Sequence, residues 1–132
     1  MVEKTITVAV YARTNGHEGD EVNQVAQCIA YVTEHIGDNC NITVYEDEGQ
    51  SNNSFNEMIS NQHQYDYVVT YSLNLIADNV IDLSSILNGL TDKGTILICL
   101  KEQFDCSAVV GKALMRMVNA FAELEREIIE EG

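Results

Sequence analysis

Four short apolar runs rich in β-branched residues, separated by segments of helical periodicity, constrain this chain more than any other feature. Ile6-Thr7-Val8-Ala9-Val10-Tyr11 is almost continuously apolar, as a strand covered on both faces requires. Ile42 to Tyr45, Tyr67 to Tyr71 and Thr95 to Leu100 repeat the pattern. After the first run comes a loop with Gly16 and Gly19, and Asp20 is placed to cap a helix with Val22, Val25, Ile29, Val32 and Ile36 on one face and Gly37 as its stop. A polar loop is expected from Glu46 to Asn53. Ser54 and Glu57 stand at capping-box spacing and open a short helix carrying Phe55, Met58 and Ile59. A third helix buries Ile81, Leu83, Ile86, Leu87 and Leu90 before Lys93-Gly94 turns into the last run. The predicted fold is α/β: a parallel sheet of about four or five strands with helices on both faces and right-handed crossovers. Function in such sheets gathers beyond the carboxyl ends of the strands.

The final segment has a different grammar. Val110, Leu114, Met117, Phe121, Leu124 and Ile128 recur at alternating steps of four and three, which is a heptad seam on one long helix. The chain has no proline, internal repeat or linker-like stretch. Residues 1–106 are therefore read as the α/β domain, and residues 107–132 as a long C-terminal helix of the same domain, starting near Ser107. Over the first two turns Val110, Leu114 and Met117 are expected to pack on the sheet. Phe121, Leu124 and Ile128 have no following sequence to cover them, so another chain is their expected cover, and the seam as a whole is the candidate oligomer interface.

Charge limits the partners. Seven basic residues against 21 acidic ones leave a formal net charge of −14, so the chain is repelled by nucleic acid unless its basic groups are gathered in one place. They are not gathered, and Glu123, Glu125, Glu127, Glu130 and Glu131 make the C-terminal helix acidic. DNA is expected to bind weakly or only through a partner. No run is long and apolar enough for a signal peptide or a membrane span. The scattered Cys28, Cys40, Cys99 and Cys106 form no CxxC pair, Cys99 reads as a small buried hydrophobe, and a reduced cytoplasmic setting is expected.

Several words of the sequence resemble the catalytic domain of serine site-specific recombinases, the resolvase and invertase family. Gly111-Lys112-Ala113-Leu114-Met115 and the stretch Phe121 to Ile129 look like that family's dimerisation helix. Tyr45-Glu46-Asp47-Glu48-Gly49-Gln50-Ser51 is similar to its strand and acidic-glycine turn, and Gln24, seven residues before Tyr31, resembles its glutamine on the first helix. The resemblance covers essentially the whole chain. It implies a first strand ending in a tyrosine, an arginine and the nucleophilic serine at alternate positions, where this chain has Tyr11, Arg13 and Asn15. It also implies an aspartate, an arginine and a second arginine after the third strand, where this chain has Asn74, Leu75 and Asp78, and a further arginine in the segment Asn52-Asn53-Ser54-Phe55, which has none.

Phosphodiester attack needs an activated nucleophile and cations to neutralise charge developing on the non-bridging oxygens. An asparagine amide is no nucleophile, Leu75 carries no charge, and Asp78 repels phosphate. Thr14 is a hydroxyl neighbour, but strand geometry points it to the opposite face from Asn15. Arg13 is expected to hold an anion or, more commonly for an arginine beside Asp47 or Asp78, to form a structural ion pair. No cofactor and no metal is expected: His17, His35 and His63 lack ligand spacing, Glu46, Asp47 and Glu48 read as a solvated loop, and the Gly16 and Gly19 loop lacks the lysine of a phosphate cradle.

The resemblance thus implies a recombinase domain without an intact catalytic set. Such a chain would act by self-association, as a homodimer, or by joining an active recombinase in a hetero-oligomer. A second reading is a small anionic ligand or nucleotide at the strand-end crevice, where Arg13, Asn15 and Asn74 should converge. A third is the front portion of a longer DNA-binding recombinase of a mobile element.

Overall fold

β1 (Ile6–Thr14) lies between two neighbours and organises the rest. The computed structural model describes residues 5–14, 23–61 and 65–131. Asn15, Gly16, His17, Gly19, Asp20, Val22 and His63, all named above, lie outside them. The sheet has five strands in the order β2-β1-β3-β4-β5, with β2 (Cys40–Glu48), β3 (Tyr67–Thr70), β4 (Ile96–Cys99) and β5 (Phe104–Asp105). The first four strands are parallel and β5 runs antiparallel to β4. The predicted α/β class and helix layers therefore hold. β5 is two residues long, too short to show a period, and was not separately predicted.

Alternation along β1 separates two cores. Val8 and Val10 face one layer with Cys28, Val32, Val69 and Ile98, under α1 (Gln24–Tyr31). On the other side of the sheet Tyr11, Tyr45, Met58, Leu75, Leu87 and Leu97 fill the opposite layer under α2 (Asn53–Ser60) and α3 (Val80–Asp92).

 Ala9 belongs to this second layer and is fully buried in it.

Local chemistry sets the element ends, and not always where the pattern places them. α1 is capped by Asn23, whose side-chain oxygen accepts from the Ala26 N–H at 3.0 Å. The helix then widens to a π turn over Val32–Ile36 before Gly37. β2 does not end at Tyr45: it continues through Glu46, Asp47 and Glu48 in register with Ala12, Arg13 and Thr14. The polar loop expected there is strand, because Asp47 is buried against the neighbouring β1 while Glu46 and Glu48 stay exposed. The capping box predicted from Ser54 and Glu57 does not cap α2. That helix follows Asn52, and Asp47 takes its first free N–H groups.

α4 (Val109–Glu131) starts two residues later than predicted, after Ser107 has placed its N–H and hydroxyl on the Asp105 carboxylate. It docks chiefly on α3 and β5, burying Leu114, Met115, Val118 and Ala122 to differing degrees. Val110 and Met117, expected to pack in the first turns, are 69% and 52% exposed, whereas Leu114 does pack. The reason is a second stripe. Gly111 is buried against the chain at Asp105, which sets the helix's rotation and turns Val110 outward. Ser84 Oγ lies 2.5 Å from Asn119 Oδ1, and Asn119 also donates to Asn88 Oδ1 at 3.3 Å, tying α3 to α4. Phe121, Leu124 and Ile128 are exposed, together with Ile129.

A Cβ on Gly111 would stand 1.7 Å from the Asp105 carbonyl oxygen. Gly111→Ala should therefore force α4 away from β5 and cost about 1–3 kcal/mol, read as a lower urea midpoint at unchanged slope.

Candidate active site at the strand ends

The sheet reverses direction of growth between β1 and β3, since β1 is followed by β2 on one side and β3 lies on the other. A crevice opens beyond the carboxyl ends of strands at such a point. Here it has a volume of about 290 Å³ and is lined by Arg13, Asn52, Asn74, Leu75, Asp78 and Asp82, among others. Four of the five family positions, Arg13, Asn74, Leu75 and Asp78, line this crevice, which brings together two of the three residues expected to converge, Arg13 and Asn74. The fifth, Asn15, lies outside the described residues.

Arg13 is buried, and its guanidinium is ringed by protein oxygens. Nη1 donates to the carbonyls of Gly49 at 2.9 Å and Ser51 at 2.8 Å, Nε donates to the carbonyl of Leu75 at 3.3 Å, and Nη2 donates to the Asn52 side-chain oxygen. Asp47 Oδ2 lies 3.9 Å from Nη2. The ion pair expected from the sequence is present but long, and most of the hydrogen bonding goes to carbonyls. Gly49 enables this: its φ of +57° turns the chain out of β2 so that the turn presents oxygens to the arginine. Gln24 grips the same residue from α1, its amide accepting from Arg13 N–H at 3.0 Å and donating to Arg13 C=O at 2.8 Å.

Asp47 completes the cluster. Its carboxylate accepts from the N–H groups of Ser54 and Phe55, both at 2.9 Å, and from the Tyr11 hydroxyl at 2.8 Å. Burial disfavours the charged carboxylate, but these donors, with Arg13 nearby, outweigh it and hold the acid below its ordinary value. Tyr11 responds in the opposite sense: burial first, then its bond to Asp47, raise the phenol, whose ring stacks edge-on against Phe55 at 5.2 Å.

The other positions divide. Leu75 is a buried core residue on the 3₁₀ turn Leu73–Leu75 and offers the site only its carbonyl. Asn74 and Asp78 are exposed, and Asp82 adds a second carboxylate to the crevice lining. Ser72 Oγ lies 2.7 Å from Asn74 Oδ1 and 2.9 Å from Glu102 Oε2, and Glu102 also accepts from the Leu73 N–H at 3.1 Å. Glu102, Asn52 and Tyr11's bond to Asp47 were not anticipated from the pattern. An anion entering this crevice meets two carboxylates, and the guanidinium lining it is already hydrogen-bonded to four oxygens. Among the described residues there is no group of three or more His, Cys, Asp or Glu side chains able to hold a metal, and no helix long and apolar enough to cross a membrane. His35 stacks on Tyr31 and stands 4.0 Å from Glu34 at the surface.

Asp47→Asn should lower stability at neutral pH by about 2–3 kcal/mol. The folded carboxyl titrates below its unfolded value of 3.8, so its contribution is complete above that value and is lost as pH falls through the folded one. Chemical denaturation of both proteins should give a constant difference at and above pH 6 that shrinks below about pH 4.

The comparisons with known proteins agree with this geometry. Among curated proteins, none matches the sequence. Among solved structures, the chain is similar to a resolvase family site-specific recombinase from Streptococcus pneumoniae, with 28% identity and a TM-score of 0.78 over 96% of this chain and 91% of that one. It has the fold of the N-terminal catalytic domain of TP901-1 integrase, with 24% identity and a TM-score of 0.77 over 92% of this chain and 98% of that one. Residues 8–132 match the family profile described as "Resolvase, N terminal domain". With nearly its whole length matched, the chain belongs to the resolvase family of serine recombinases, of which it carries the N-terminal domain.

Proposed function

We propose that this domain acts in DNA recombination as a pairing subunit and not as a strand-transfer enzyme. The observation that carries the reading is the state of Arg13. The one arginine retained at the family positions is held by the Gly49, Ser51 and Leu75 carbonyls and by Asn52, so it serves the fold and not a phosphate. Leu75 lies in the core and Asp78 places negative charge in the crevice. Asn15 stands where the nucleophile belongs. Each absent electrostatic stabiliser costs about 10²–10³ in rate in comparable acyl-transfer sites, and the loss of the nucleophile removes the covalent route altogether.

What is left to act is α4. Its exposed residues Val110, Met117, Phe121, Leu124 and Ile128 form one stripe that the domain itself leaves uncovered, and a second helix is the natural cover. The domain would pair through it, with itself or with an active recombinase, and would reach DNA through that partner. A chain of net charge −14 has little affinity for DNA of its own.

Incubated with plasmid DNA carrying the sites of an active relative, the protein should give neither nicks nor a covalent protein–DNA product. Asn15→Ser alone should leave that result unchanged, because the hydroxyl would arrive without its cations; cleavage by either protein would overturn the reading. Light scattering on the wild type, alone or mixed with an active relative, should show a complex that Leu124→Asp dissociates.

A further inference from the structure

The charges beside the α4 stripe specify the kind of helix that covers it. At 3.6 residues per turn, Met117, Phe121, Leu124 and Ile128 share one face, and Glu125 and Glu127 border it on its two sides. Both are exposed. The basic residues of the helix lie elsewhere: Lys112 and Arg116 line a cavity with Thr91, Met115 and Asn119 on the flank nearer α3, and Arg126 is on the far side of the helix from the stripe. The seam is therefore apolar in the middle and acidic along both edges of its outer half.

We infer that this face is built for a helix of a different chain, apolar along one stripe and flanked by lysine or arginine, in preference to a second copy of itself. The inference rests on the pairing role proposed above and adds the partner's chemistry. Two copies laid stripe to stripe bring acidic edges toward acidic or neutral ones, whether the helices run parallel or antiparallel. They also bring together two bodies of net charge −14. Residues at these flanking positions set partner choice in paired helices, by repulsion as much as by attraction. A basic-edged partner removes the repulsion and gains an opposite charge opposite each glutamate.

The test uses the full chain as its own probe. In Glu125→Lys/Glu127→Lys, both substitutions are at exposed helical positions, so the fold should persist, as far-ultraviolet circular dichroism would check. Wild type and variant, distinguished by mass, are mixed and followed by analytical ultracentrifugation at low and high salt. The mixed complex should be roughly tenfold tighter than the wild-type pair at low salt. Added salt should weaken the mixed complex and strengthen the wild-type pair. Equal affinities for the two complexes, or the absence of a mixed complex, would overturn the inference. Leu124→Asp in either chain separates the two claims. If it abolishes pairing while the charge swap has no effect, only the partner's chemistry is wrong. If pairing survives it unchanged, the role of the stripe is wrong as well.

Discussion

A buried carboxylate with no unmet hydrogen-bonding need holds the functional end of this domain together. Asp47 receives two main-chain N–H groups from the start of α2 and the hydroxyl of Tyr11, and sits across the strand pair from Arg13. The carboxylate caps the helix, and its negative charge suits the positive end of the helix dipole. Arg13 in turn closes the turn after β2 through its bonds to Gly49 and Ser51, and reaches the 3₁₀ turn after β3 through Leu75. Three stretches distant in sequence, the end of β1, the run from the end of β2 into α2, and the turn after β3, thus meet on two side chains. Neither charge survives burial without the other groups.

That economy explains why the same geometry that places Arg13 beside a crevice also withholds it from a ligand. Phosphate recognition needs a guanidinium whose donors point into open space. Here the turn carbonyls and Asn52 occupy those donors, and Asp78 and Asp82 supply the charge in the crevice itself. Position within a fold and chemical availability are separate properties, and a resemblance between sequences reports the first more directly than the second.

The strands and helices were legible because their periods are simple: Val8 and Val10 divide from Ala9 and Tyr11 as alternation demands. The meeting of Arg13 and Asn74 in one crevice was legible from their places at the ends of neighbouring strands. The engagement of Arg13 was not, since carbonyl acceptors carry no residue signature. The same holds for Asp47, whose acidic neighbours Glu46 and Glu48 disguised a buried residue as part of a solvated run. Long-range capping hid the true end of α2 from a local capping-box reading. On α4, a heptad count could see one stripe but not the rotation imposed by Gly111, so two of the residues assigned to the body turned out to face away from it.

The contact of Asn119 with Ser84 and Asn88 bears on what α4 can transmit. Apolar side chains tolerate a small roll of one helix upon another, but directional hydrogen bonds do not. With Gly111 seated against Asp105 at one end and this amide locked to α3 further along, the helix has a fixed azimuth on its domain. A chain that grips the outer stripe therefore inherits a defined orientation of the whole sheet, as a handle that cannot turn in its socket passes on every rotation applied to it.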